Sequence, residues 1–192
     1  MSHSIEPKLD PPGAGLPAPM LFVAKRVSSL RAKLGSSSKF LTEFSDEKEK
    51  IDQLILPLSP EQRSQRILIP RLIGLEDSSR YYSVWMTLDH LQICNFAFAA
   101  IIKDLSEEKL PDIKVSTANV KPNPDVTQRV EKEYLISCKK FLATLKRIKD
   151  VKSESQLKHP WFGPMDAHRW LSLSAFHMKI HRRQIAAIIK RL

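Results

Sequence analysis

Apolar residues recur every three or four positions in four long segments of the chain. These segments span about residues 39–56, 84–105 and 125–149, and from 167 to the end of the sequence. A period near 3.6 residues is typical of an α-helix that buries one face. No segment shows the alternation of a β-strand, so the chain is predicted to be all-α. Four long amphipathic helices predict an up-and-down four-helix bundle.

Short polar residues and prolines mark where these helices begin and end. Ser83 and Asp166 are suited to cap the second and fourth helices, and Ser59-Pro60 predicts a short helical turn. Residues 67–80 are apolar but contain Pro70 and Gly74, which predicts an irregular connection. Residues 106–124 contain three prolines and are predicted to form a long loop.

The N-terminal part of the chain differs from the rest. Residues 1–19, which include His3, are rich in proline and have little to bury, so they are predicted to form a flexible arm. Leu21, Val23 and Val27 then follow a helical spacing. The predicted organisation is an arm (1–19), a short helical extension (20–37) and the bundle (38–192).

Composition limits the class of protein. Of 192 residues, 42% are hydrophobic and 27% are charged, which is typical of a soluble globular protein. No apolar run approaches the roughly 18 residues of a membrane span, and the N-terminus lacks a signal-peptide pattern. Cys94 and Cys138 fall in predicted helices without metal-binding spacing. Reduced cysteines fit a cytoplasmic protein with no role at a membrane.

The net charge of +10 comes entirely from residues 111–192. A basic surface can attract nucleic acid or an acidic partner. These charges, however, lie on the predicted outer faces of helices, without interleaved aromatic residues or a nucleic-acid-binding motif. A solvated surface is therefore the favoured interpretation. A non-catalytic interaction module that binds nucleic acid or an acidic partner is the alternative.

Two histidines in the last helix suggest chemistry. His177 and His181 are four residues apart and so share one helical face. Ser174 and Gln184 continue the same line, which gives four consecutive polar positions on a face that is otherwise apolar. Buried polar groups are costly unless they are paired. A metal ion or a wet pocket would supply the partners; a solvated groove, with each imidazole bonded to backbone or water, is the simpler alternative.

A third histidine strengthens the metal hypothesis. His90 lies in the middle of the most apolar predicted helix, where an unpaired imidazole is poorly tolerated. Bundle cores build metal sites from side chains on facing helices, and three imidazoles leave coordination positions open for water and substrate. His168 falls on the opposite helical face from His177, and His159 precedes a proline in a loop.

Two segments resemble a known family. Residues 82–91 (YSVWMTLDHL) are similar to the start of the second helix in the DinB-like (DinB/YfiT) four-helix bundles. Residues 159–165 (HPWFGPM), followed by Trp170 and the pair His177 and His181, are similar to that family's entry loop and fourth helix. Tyr82 and Met86 depart from the pattern, where tryptophan and glutamate are usual.

The resemblance implies a bacterial protein with a three-histidine site. His90, His177 and His181 would hold zinc, nickel or iron. Characterised relatives of this fold include metal-dependent transferases and isomerases that use low-molecular-weight thiols, and many members have no assigned reaction. A metal-dependent enzyme of the thiol transferase or hydrolase type, acting on a small molecule, is therefore expected. Bundles of this type often form homodimers.

Other residues near the predicted site have open roles. Ser174 and Gln184 lie within one turn of the histidines and are candidates to orient a bound group, and Cys94 is a candidate to face the pocket. Simple packing or helix hydrogen bonding is the favoured alternative for each of them. Glu131 and Glu133 on the third helix are candidate general bases, although their facing is open.

Overall fold

The structure, a computed structural model, describes residues 6–192. Six α-helices lie within them: α1 (Ala18–Leu34), α2 (Ser37–Ile55), α3 (Pro60–Ser64), α4 (Val84–Ser106), α5 (Arg129–Lys146) and α6 (Ala167–Ile189). The long helices α2, α4, α5 and α6 pack against one another as a four-helix bundle. The all-α fold predicted from the sequence is confirmed.

Side-chain caps fix the starts of the helices that carry the histidines. The Ser83 hydroxyl accepts a hydrogen bond from the backbone N–H of Met86, at the start of α4. The Asp166 carboxylate accepts one from the N–H of Arg169, at the start of α6. Such bonds satisfy backbone donors that have no partner inside the helix. Both caps were predicted, and Ser59 also begins α3, through a reciprocal capping box with Gln62.

The predicted third helix was too long at both ends. Residues 125–128 precede α5 as turns and irregular backbone. At the other end the N–H of Arg147 bonds to the carbonyl of Thr144, a tighter turn that closes α5.

The structure also contains short strands that the sequence pattern did not predict. Two short antiparallel pairs are present: β1 (Ile67–Leu68) with β2 (Tyr81–Tyr82), and β3 (Leu157–His159) with β4 (Gly163–Met165). Strands of two or three residues are too short to show alternation in the sequence. Gly163 has φ +74°, which only glycine adopts easily, and lets the chain turn back into β4.

The core lies between the four long helices. Phe44 of α2 stacks on Phe141 of α5, with ring centroids 4.2 Å apart, and both side chains are fully buried. Burying an aromatic ring of this size is among the largest single contributions to stability in a core. Other large side chains buried to a similar extent include Trp170, Tyr134, Phe40, Ile51, Ile69, Leu88, Leu91, Ile101, Ile102 and Leu105.

The N-terminal part packs on the outside of the bundle. Helix α1 contacts α6 but buries none of its own side chains completely, and Phe22 and Leu30 are exposed. An ion pair between Arg31 and Glu43 joins α1 to α2. The predicted division into arm, extension and bundle stays a prediction, and the part of the arm up to residue 5, with His3, lies outside the described residues.

Two further expectations concern the environment of the protein. Between residues 6 and 192, none of the helices combines the length and apolar character needed to cross a membrane. Cys94 and Cys138 are buried and free, as predicted.

Candidate metal centre

The three predicted histidines meet in the bundle. His90 comes from α4, and His177 and His181 come from successive turns of α6. The Nε2 atom of His177 lies 3.1 Å from Nε2 of His90 and 3.1 Å from Nε2 of His181. His90 and His181 are buried, while His177 is half-buried. Each ring offers one nitrogen to a common point, and these nitrogens all lie within 4.8 Å of one another.

Hydrogen bonds on the far side of two rings fix their protonation. Nδ1 of His90 is 2.6 Å from the carbonyl oxygen of Val120. Nδ1 of His181 is 2.6 Å from Oε1 of Gln184, whose Nε2 in turn donates to the carbonyl of Ser79 at 2.7 Å. Because these oxygens can only accept, Nδ1 of His90 and of His181 carries the proton. In a neutral ring, Nε2 is then a bare acceptor.

This arrangement leaves acceptors facing one another. The bare Nε2 atoms of His90 and His181 both approach Nε2 of His177, which can offer at most one proton. Nδ1 of His177 is buried and has no hydrogen-bond partner among the described residues. A cation at the common point would satisfy all three Nε2 atoms. Separations of 3.1 Å suit three nitrogens at about 2.0–2.1 Å from one ion. The residues fit a metal.

The environment keeps these imidazoles neutral. Burial lowers the pKa of His90 to about 4, and the nearby Lys121 ammonium acts in the same direction. Burial also holds the pKa values of His177 and His181 well below the usual range, and each is lowered further by coupling to neighbouring histidines. A neutral imidazole is the form that binds a metal ion.

The depressed pKa values predict that the metal-free protein loses stability in mild acid. Below the ordinary histidine pKa of about 6.5 the unfolded chain takes up protons that the folded chain does not, so the free energy of unfolding falls as the pH drops toward 4. His90 alone contributes about 3 kcal/mol of this loss. Urea unfolding of the metal-free protein between pH 7.5 and 4.5 measures it. His177→Leu should flatten the curve, and stability that rises on acidification would contradict the prediction.

A cavity of about 270 Å³ opens beside the histidines. Its walls are mainly apolar and aromatic, with Phe98, Trp161, Phe162 and Trp170 among the lining residues. Cys94 also lines it, with Sγ 3.7 Å from Nε2 of His90. Burial raises the pKa of this thiol to about 12, so it is a neutral thiol at pH 7. Cys94 thus lies at the cavity, which was the less favoured of its two sequence interpretations.

Of the other polar residues considered from the sequence, some contact the histidine site and some do not. Gln184 orients His181, as described above, whereas the Ser174 hydroxyl donates to the carbonyl of Leu171 in its own helix. His159 lines the cavity, and its Nδ1 accepts a hydrogen bond from the N–H of Trp161.

Neither candidate base lies at the site. Glu131 accepts hydrogen bonds from Arg63 and from the indole N–H of Trp85, and Glu133 pairs with Arg129. Neither carboxylate is among the residues that line the cavity. His168 also lies elsewhere, against the carbonyls of Ala32 and Gly35, as its helical position predicted.

Several groups at the site were not found from the sequence. Val120 and Ser79 contribute backbone carbonyls, which leave no trace in residue type. Glu76 and Lys121 form a buried ion pair at the cavity wall, with Nζ 2.6 Å from Oε2. Lys121 also donates to the hydroxyl of Ser79. A charged pair formed across 45 residues has no local signal that a periodicity analysis could detect.

The fold and the site together define a class of protein, the four-helix bundles that carry a histidine cluster on two facing helices. Within this class the chain belongs to the DinB family, whose model matches residues 30–192. A crystal structure described as that of a four-helix bundle protein is similar in fold, with a TM-score of 0.57 at 16% identity. The match covers 79% of this chain and 99% of the other. Among curated proteins, none matches the chain.

Proposed function

We propose that the protein is a divalent-metal-dependent enzyme whose metal ligands are His90, His177 and His181. The observation that carries the proposal is the convergence of three Nε2 atoms with too few protons to satisfy them. Imidazole nitrogens suit zinc, nickel and iron. Membership of the DinB family supports the same assignment of the three histidines as metal ligands.

The protein's own residues prepare the site for such an ion. The carbonyl of Val120 holds the ring of His90, and Gln184 holds the ring of His181 against the backbone of Ser79. Outer hydrogen bonds of this kind fix the tautomer and direction of a ligating histidine. The apolar walls of the cavity keep bulk water from surrounding a bound molecule. When bound, a divalent ion would lower the pKa of a water or thiol at its open side.

The proposed reaction is transfer of a small thiol to an electrophile, with hydrolysis as the related variant. In the transfer, sulfur loses its proton, forms a bond to an electrophilic carbon, and displaces a leaving group with its electron pair. Among the described residues that line the cavity, Glu76 is the one carboxylate, and it is paired with Lys121. The thiol proton would therefore be released to solvent water, because the bound ion would lower the pKa of the thiol, rather than to a carboxylate base.

The experiment compares metal-free protein with protein reloaded separately with Zn²⁺, Ni²⁺ or Fe²⁺. Each form is given a small thiol and 1-chloro-2,4-dinitrobenzene, and hydrolysis of a p-nitrophenyl ester is followed in parallel. We expect turnover that requires metal and is lost in His177→Ala. Equal rates with and without metal, or failure to bind any of the three ions, would contradict the proposal.

Other expectations about partners remain predictions. The basic surface and the net charge of +10 keep the nucleic-acid or acidic-partner alternative open to a binding assay at low and high salt. The homodimer and the cytoplasmic, bacterial setting likewise stay predictions.

A further inference from the structure

The N-terminal segment reaches the metal cavity although it lies outside the family match. That match begins at residue 30. Upstream of it, Leu16 and Ala24 line the cavity beside residues from the bundle. Leu16 is only 8% exposed and is the one residue buried to this degree between residues 6 and 36. This chain thus adds a wall to the cavity with residues that the family pattern does not include.

Two buried carboxylates hold this wall in place. The N–H of Gly15 donates to Oε1 of Glu76, and the N–H of Asp10 donates to Oδ2 of Asp77, each at 3.0 Å. Glu76 is in turn fixed by the ammonium of Lys121. The backbone here also passes close to the loop between β3 and β4, since a Cβ atom at Gly15 would lie 3.7 Å from Nε1 of Trp161. Gly15 has φ +85°, a conformation strained for other residues.

The charged groups in the buried part of the cavity lining are paired with each other. Glu76 and Lys121 neutralise each other, and Lys114, the other charged lining residue described, is exposed to solvent. The remaining surface is dominated by aromatic and aliphatic side chains. In the buried part of the cavity a charged ligand would lose its hydration without gaining a counter-ion, whereas an apolar ligand would gain from burial.

We propose that the N-terminal segment, residues 6–24, determines ligand specificity by making the cavity select molecules with an uncharged, apolar body. Within this segment, Leu16 is the side chain that we expect to contact the apolar part of the ligand. The inference rests on the proposed function only in placing the metal-binding group of the ligand at the histidines. The preference for an apolar ligand depends on the residues that line the cavity and not on the metal. The substrate class is therefore a small apolar electrophile, aromatic or aliphatic, rather than a polar or ionic metabolite.

The test compares three hydroxamates that share one metal-binding group, using the zinc-loaded full chain and isothermal titration calorimetry. Acetohydroxamate has no body to bury, 4-phenylbutyrohydroxamate has an apolar one, and glutaric monohydroxamate has a charged one. We expect the phenyl compound to bind at least about 30-fold more tightly than acetohydroxamate, because it buries a ring and several methylenes. Glutaric monohydroxamate should bind no more tightly than acetohydroxamate.

Matched leucine variants assign the preference to the N-terminal wall. Leu16→Ala should weaken binding of the phenyl compound by about fivefold to tenfold, because it removes part of the buried contact, and leave acetohydroxamate unchanged. Leu30→Ala, at a leucine of α1 that is 57% exposed, should change neither. Circular dichroism and the melting temperature show whether both variants keep the fold. Leu16→Phe, which keeps an apolar side chain, should retain the preference for the apolar compound over the charged one.

A metal-free arm separates the two proposals. Binding of 4-phenylbutyramide and of glutaramate to metal-free protein is followed by tryptophan fluorescence, since Trp161 and Trp170 line the cavity. If zinc does not bind but the phenyl compound still binds more tightly in a Leu16-dependent way, the metal proposal fails and this inference stands. If zinc binds but acetohydroxamate and the phenyl compound bind equally, or Leu30→Ala matches Leu16→Ala, the inference is overturned.

Discussion

Replacing His177 by alanine is expected to abolish stoichiometric metal binding. The Nε2 atom of His177 lies 3.1 Å from Nε2 of each of the other two rings, so its loss leaves two nitrogens from different helices. Loss of a supporting residue alone typically costs 10-fold to 100-fold in affinity, so loss of a ligand should cost more than about 100-fold. Elemental analysis after dialysis and titration with Zn²⁺ measure the effect. His90→Ala and His181→Ala should behave alike.

Controls on the same helix make this result specific. His168→Ala should keep full occupancy, because His168 lies on the opposite side of α6 against α1. Gln184→Leu should weaken binding by about 10-fold to 100-fold, since it frees the ring of His181, whereas Ser174→Ala should have little effect. Unchanged zinc affinity in all three triad variants would disprove the metal assignment.

Replacing Phe44 by alanine is expected to lower the free energy of unfolding by about 3–5 kcal/mol. The side chain is fully buried and stacked on Phe141, so its removal loses apolar burial and leaves a cavity between α2 and α5. Urea unfolding followed by circular dichroism measures the change.

The matched control for this prediction is Phe22→Ala in α1. Phe22 is 61% exposed, so its loss should change the free energy of unfolding by less than about 0.5 kcal/mol. Equal destabilisation by the two substitutions would show that the stack of Phe44 on Phe141 does not carry the stability assigned to it.

The four long helices were predictable because each carries its own signal. Hydrophobic periodicity gives the buried face, and Ser83 and Asp166 mark the starts of the helices that hold the histidines. The ends of α5 were misplaced because the polar residues on either side of it continue its helical pattern, and helix boundaries are the part of a helix that such a pattern defines least well. The short strands were missed because their pairing joins residues that are not adjacent in sequence, such as Ile67 and Tyr82, which are 15 positions apart.

The sequence predicted the candidate metal-ligating side chains of the site but not the backbone and loop contacts that surround them. His177 and His181 were paired by spacing, and His90 joined them through its place on a facing apolar helix and through the family resemblance. The sequence gives no sign that the carbonyls of Val120 and Ser79 would orient the rings. It likewise gives no sign that Leu16, in a proline-rich segment, would be buried against the cavity. Such contacts depend on the tertiary path of loops.

The position of the N-terminal segment outside the helical core has an evolutionary consequence. Residues 6–24 contribute one buried apolar side chain, Leu16, so most substitutions there should cost little stability. Under the proposed role of this segment, changes there would alter which molecules enter the cavity while the bundle and its histidines persist. Ligand preference would then be free to change by drift at this wall, with no compensating change in the four bundle helices.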